Sequence, residues 1–291
     1  MHTAERIQEL WRFREVVKNF VAQNLKVKYR RSILGFFWSL LNPLLQMIVI
    51  TIVFSLIFRF GVRDYALYVL SGLIPWAFFS TSIDNCTLSI IGAEHMLRRQ
   101  YFPKLVFPVS MVLQNLVTFA LSLIVLLIVL APVSGFNPLQ PALLILPLSF
   151  ACIVCVALGV GALAALITVY FRDMQHLIAV LISAWFYVTP IIYPLEAKPR
   201  AAKPPAVATA PADPAEAAAA LEDAAPIPHA YRVYFKLNPM YSIIEMFHRP
   251  IYDGRLPTPS ELTAALATAA ACLVGGVWIF WRFEDRLIFA L

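Results

Sequence analysis

Few residues in this 291-residue sequence have types and spacing suited to making or breaking bonds. Cys152 and Cys155 form a C-x-x-C pair, the spacing of a redox couple or half a metal site. No His or acidic residue lies nearby, so they read as two small apolar residues on one helix face. Cys86 and Cys272 also fall in or beside apolar segments, and no disulfide framework is expected. The sequence contains no G-x-x-x-x-G-K-[ST] phosphate loop, no H-E-x-x-H and no G-x-S-x-G, so neither ATP cleavage nor hydrolysis by those mechanisms is expected, and no metal site. Asp84 is the one acidic candidate within an apolar stretch. It reads either as a polar residue packed near a membrane interface or as a proton carrier. One carboxylate makes no relay, so the driving force for any transport must come from a partner.

Aromatic side chains are the remaining candidates. Phe54, Phe58, Tyr68, Trp76, Phe79, Trp185, Phe186, Tyr187 and Tyr193 gather toward helix ends and around prolines. They could form a belt facing lipid headgroups. They could also line a passage for sugars, because a pyranose has apolar C–H faces that stack on rings and polar edges that neutral Ser, Thr and Asn can meet. Weak, repeated contacts of that kind suit a polymer that must slide.

The elements that would position these residues follow from hydropathy. Hydrophobic residues make up 60% of the chain and charged ones 14%, more oil than a soluble core of this size uses. An all-α integral membrane protein with six transmembrane helices is predicted, at about residues 37–58, 65–87, 105–131, 142–169, 175–193 and 262–281. Gly72 and Pro75 are expected to interrupt the second span. Residues 1–36 comprise a helix lying in the membrane interface plane, from about residue 3 to 24, and the basic anchor Lys26, Lys28, Arg30 and Arg31. No cleavable signal peptide is expected. Basic residues flank the spans without forming one continuous face, which argues against nucleic acid despite a net charge of +6. Arg98, Arg99, Lys104, Arg172, Arg282 and Arg286 share one side with the N-terminal cluster, so by the positive-inside rule both termini are expected to be cytoplasmic.

Residues 37–194 thus hold spans one to five, and residues 261–291 the sixth span and tail. The connection between them, residues 195–260, is expected outside. Its 197–228 stretch is rich in Ala and Pro and reads as a flexible insert. Residues 238–250 read as a short amphipathic helix at the outer surface, begun by Asn238-Pro239, with Ile243, Ile244 and Phe247 opposite Glu245, His248 and Arg249. Thr258, Pro259 and Glu261 carry a helix start with a capping box before the sixth span.

The run Leu25-Lys26-Val27-Lys28-Tyr29-Arg30-Arg31-Ser32-Ile33-Leu34-Gly35-Phe36-Phe37-Trp38, with Leu41-Asn42-Pro43-Leu44 after it, resembles the start of the permease subunits of polysaccharide-export ABC transporters. Further matches are Gly72-Leu73-Ile74-Pro75-Trp76, Phe102-Pro103-Lys104, Phe171-Arg172-Asp173, Thr189-Pro190 with Tyr193-Pro194, and Leu237-Asn238-Pro239. They extend over nearly the whole chain in order. The resemblance implies a type-2 exporter permease in the bacterial inner membrane that moves lipid-linked O-antigen, capsular or teichoic-acid-like polymer as a homodimer. It implies two separate nucleotide-binding subunits, which hold the ATP and Mg, so this chain carries no cofactor. It implies that Trp11, Val17, Phe20, Glu94, Arg98, Arg99, Arg172 and Asp173 face those subunits, that Arg30, Arg31, Leu34 and Gly35 sit at the cytoplasmic entrance, and that Asn238, Pro239, Ile243 and Phe247 help form an outer gate. The Ala/Pro-rich insert departs from the family pattern. An efflux permease for a drug or lipid, or an ATP-independent carrier or channel, fits the same composition.

Overall fold

The computed structural model describes residues 3–30, 33, 35, 37–58, 62–134, 140–195 and 229–287, and these are almost entirely helical. The 197–228 insert, Arg31 and Leu34 lie outside the described residues, as do the side chains of Phe54 and Phe58. In chain order the helices are α1 (Thr3–Arg12), α2 (Arg14–Tyr29), α3 (Phe37–Phe58), α4 (Val62–Thr87), α5 (Glu94–Leu97), α6 (Val106–Ser134), α7 (Leu146–Tyr170), α8 (Met174–Val188), α9 (His229–Lys236), α10 (Pro239–His248) and α11 (Pro259–Phe283). Short turns of tighter or wider helix precede α5 and α7 and follow α10 and α11.

Four helical stretches among the described residues are long and apolar enough to cross a bilayer, at Tyr65–Thr87, Val106–Val125, Pro141–Tyr170 and Pro259–Arg286. A fifth apolar helix, Met174–Val188, has only 15 residues and is about 22 Å long, short of the ~30 Å hydrocarbon. The expectation that it continues to Tyr193 fails at Pro190. A proline disfavours helical backbone in the residue before it, and Thr189 is extended at φ −93°, ψ 128°.

Helix α4 is the axis of the bundle. Of its apolar stretch 78% is buried within the protein, against 17% for α11, which turns most of its surface outward. It packs on α3, α6, α7, α8 and α10. Contrary to the expected interruption, α4 runs unbroken through Gly72 and Pro75. Neighbouring helices allow a membrane helix to carry a proline without breaking. Gly72 serves a close approach instead: a Cβ there would lie 2.5 Å from His248 Nε2 on α10.

The most extensive helix pair is α7 with α11. Its crossing is built on small residues. A Cβ on Gly159 would collide with the Cys272 carbonyl, and one on Gly276 with the Gly159 carbonyl, so the two backbones touch. Cys152 is buried in the same core, all four cysteines are free, and no metal-holding group occurs among the described residues.

At the N-terminus the expected single helix is two. Backbone at Phe13 (φ −87°, ψ 10°) separates α1 from α2, and α2 then runs past Asn24 through Lys26 and Lys28. The Phe13 ring meets Phe102 edge-on at 5.9 Å, which makes the break a packing joint.

Candidate functional site

The end of the bundle that carries both termini forms a platform. Residues of the 88–107 segment, the last turns of α7 and the end of α11 share one apolar cluster, with Ile90, Phe107, Val169, Phe280 and Leu287 buried, and Leu10 and Phe20 packed against it. Phe20 contacts Phe107 at 5.7 Å. Glu284, in the turn after α11, ties three elements together. Its carboxylate accepts from Arg6 Nη1 of α1 at 3.3 Å and from the Lys104 backbone N–H at 3.1 Å, and Arg6 also donates to the Trp281 carbonyl at 2.9 Å. Sequence reasoning missed this role, because a polar tail gives no sign of which element it will touch.

The residues expected to face a partner divide across that platform. Trp11 is 70% exposed, and Arg98, Arg99, Arg172 and Asp173 are exposed as well. Glu94 is half-buried and accepts from Arg98 Nε at 2.9 Å along α5. Val17 is buried and Phe20 half-buried against Phe107, so these two hold α2 to the bundle. Of the entrance residues, Arg30 ends α2 in extended backbone and Gly35 takes a left-handed φ of 49°.

At the far end, α10 corrects the surface reading. Asn238 and Ile243 through Phe247 are buried, and only Pro239 of the four expected gate residues is exposed. Glu245 and His248, expected to face water, are buried too. His248 lies against Tyr68 with ring centroids 4.4 Å apart and 3.3 Å from Glu245. A buried carboxylate is costly unless paired, and Arg249 pairs it. Its Nε is 3.0 Å from Glu245 and its Nη1 3.0 Å from Asp253, while Nη2 donates to Glu261 at the start of α11. Burial alone would pull the Arg249 pKa down; the Glu245 and Glu261 carboxylates outweigh it and hold it above its ordinary value. The capping box of Thr258 and Glu261 forms as expected, and the same Glu261 side chain serves the Arg249 network.

Asn238 pins α10 to the turn after α8. Its Oδ1 accepts from Met240 N–H at 3.0 Å and Trp185 Nε1 at 2.9 Å, and its Nδ2 donates to Thr189 Oγ1 at 3.0 Å and the Val188 carbonyl at 3.3 Å. From α4, Tyr65 donates to the Ile192 carbonyl at 2.7 Å and Tyr68 to Pro190 and Tyr193 carbonyls at 3.1 Å.

The aromatic set therefore splits. Tyr68, Trp76 and Phe79 are buried within the protomer and present no ring face to an outside passage; they are packing residues. Trp76 touches Phe186 at 5.7 Å and Phe79 touches Trp185 at 5.6 Å, so the rings form a chain from the core outward along α8. Trp185, Phe186 and Tyr193 are half-buried and Tyr187 is 68% exposed. Neutral polar groups bind helices elsewhere: Asn115 of α6 donates to Ser82 at 3.4 Å and accepts from Asn85 at 3.3 Å. Asp84 is exposed in the last turn of α4.

The family model described as ABC-2 type transporter matches residues 15–203 of this sequence. The chain is 31% identical over 279 residues to the O-antigen export system permease protein RfbA of Myxococcus xanthus, covering 94% of each. It is similar to the protein of the same description in Klebsiella pneumoniae, with 31% identity over 171 residues, 59% of this chain and 66% of that one. The polysialic acid transport protein KpsM of Escherichia coli is 23% identical over 282 residues, 94% of this chain and 95% of that protein.

Proposed function

Because the chain belongs to the ABC-2 type transporter family, we propose that it is the channel-forming permease subunit of an exporter that carries lipid-linked polysaccharide across the bacterial cytoplasmic membrane. It is a multi-pass membrane protein, and permeases of this family work with an ATP-binding subunit. The observation that carries the substrate class is end-to-end similarity to an O-antigen export permease, joined by full-length similarity to a polysialic acid transporter. This chain is then no enzyme itself. ATP and Mg are held by the partner, both termini are cytoplasmic, the chain crosses six times, and two copies enclose the passage.

The geometry supports a route for force. Closure of the ATP-binding subunits would push on exposed Trp11, Arg98 and Arg99 of the platform. Glu284 joins α1 and the segment before α6 to the end of α11, so the push reaches a span directly. Helix α8 exposes Leu177, Val180, Leu181, Tyr187 and Val188, an apolar and aromatic face suited to a second copy or to a sliding sugar chain.

The test is ATP-dependent movement of a lipid-linked polysaccharide into proteoliposomes holding the permease and its ATP-binding subunit. Transport is expected only with both subunits and hydrolysable ATP. Equal transport by the permease alone would overturn the reading. Replacing the exposed Tyr187 by alanine is expected to slow export while leaving assembly intact.

A further inference from the structure

Helix α6 carries Ser110, Gln114, Thr118 and Ser122 at intervals of four, a slanting polar stripe inside an otherwise apolar span. Thr118 and Ser122 border a cavity of about 420 Å³, which also meets Tyr29, Trp38 and Asn42. Ser110 and Gln114 border a second cavity of about 500 Å³ between α2, the end of α4 and α6. Lys28 borders both. These volumes lie within the range of small-molecule sites.

The second cavity holds polar capacity that the fold leaves unused. Gln114 is 6% exposed, and among the described residues its side-chain oxygen has no hydrogen-bond partner. An unsatisfied buried acceptor costs about 1–3 kcal/mol. Across the cavity, Asn24 donates to the Met111 sulfur at 3.8 Å, a weak acceptor for an amide. Asp84 and Lys28 supply an acceptor and a donor at the margin, and Phe20 and Phe107 supply apolar wall. Amides, one carboxylate, one ammonium and ring surfaces in a small space match a ligand with many hydroxyls and apolar C–H faces.

We propose that this cavity is a subsite for one sugar ring of the transported glycan, with the side-chain amides of Gln114 and Asn24, the Asp84 carboxylate and the Lys28 ammonium meeting its hydroxyls. The assignment rests on the polysaccharide reading above and adds a named position within the protomer. Gly92 provides an independent handle. It lines the cavity, and a Cβ built there meets nothing within 4 Å, so a larger side chain can enter the space without a first clash.

The experiment measures binding to the assembled transporter, permease with ATP-binding subunit, in lipid nanodiscs. Three probes are used: a lipid-linked oligosaccharide, the same oligosaccharide without lipid, and the lipid phosphate without sugar. Gln114→Leu removes the acceptor and should leave thermal stability unchanged or raised. Gly92→Phe fills the space and leaves Gln114 in place. Both are expected to weaken binding of the two sugar-bearing probes by about tenfold, the scale of one lost buried hydrogen bond, and to leave the lipid phosphate unchanged. Wild-type sugar affinity in either folded variant, or equal loss for the lipid phosphate, overturns the subsite. If the unaltered complex binds none of the sugar-bearing probes, the polysaccharide reading itself fails, a separate outcome.

Discussion

The two ends of the bundle are held by different means. At the platform, α1, the segment before α6 and the turn after α11 meet through a few polar contacts, with Glu284 as their shared acceptor. At the far end, α10 is buried on nearly every side, and its charges close on one another around Arg249. A mostly exposed helix such as α1, tied down by one half-buried carboxylate and a few apolar contacts, can shift at small cost. A buried helix with a compensated ion network moves only if the packing around it moves as well. The platform thus suits receiving a push, and the far end suits resisting one. The ion pairs themselves are about equally buried at the two ends; what differs is the helix that carries them, largely exposed for α1 and enclosed for α10.

The sharpest way to break this contrast is at Gly72. Gly72→Val puts a branched side chain where His248 Nε2 stands 2.5 Å from a Cβ, and is expected to abolish stably folded protein, read as loss of the monodisperse peak after detergent extraction. Arg249→Leu leaves the Glu245, Asp253 and Glu261 carboxylates without their shared cation. A loss of roughly 3–5 kcal/mol is expected, measured as a steep fall in the thermal midpoint of the purified complex. Asn238→Ala removes the N-cap bond of α10 and three hydrogen bonds to the end of α8 and the turn after it, at a cost of roughly 1–3 kcal/mol, and should expose Trp185 to a polar quencher.

On the platform the stability effects should be smaller and the functional ones larger. Glu284→Arg is expected to lower substrate-stimulated ATP hydrolysis at least severalfold, with basal hydrolysis retained. Adding Arg6→Glu should restore part of it by reversing the Arg6–Glu284 pair; no rescue would mean that Glu284 acts through packing alone. Arg98→Glu with Arg99→Glu touches one exposed ion pair, so stability should change by less than about 1 kcal/mol. The same double change should uncouple hydrolysis from export. Intact coupling would remove the exposed face of α5 from the push.

Much of the fold was legible in the residue pattern. Long runs with at most one charge marked the spans at 65–87, 142–169 and 262–281 to within a few residues, because a helix in lipid must satisfy its own backbone and present apolar side chains. The Asn238-Pro239 start and the Thr258/Glu261 cap were legible because capping is local chemistry across three residues. The candidate site was less so. Tyr68, Trp76 and Phe79 carry the same aromatic signal as Tyr187, and burial alone separates them.

What the sequence by itself determined is the membrane character of this chain, where its main helices lie and how several begin, since hydropathy and caps act within a turn or two of chain. The tertiary structure alone decided that α10 is buried, that Gly72 makes room for a histidine 176 positions onward, and that Glu284 binds the first helix to the last. Burial of a charge depends on which distant group neutralises it, and the nearest compensators here come from other elements: Glu261 for Arg249, Arg6 for Glu284. A local pattern reports which residues dislike water; only the assembled bundle reports which charges have found each other.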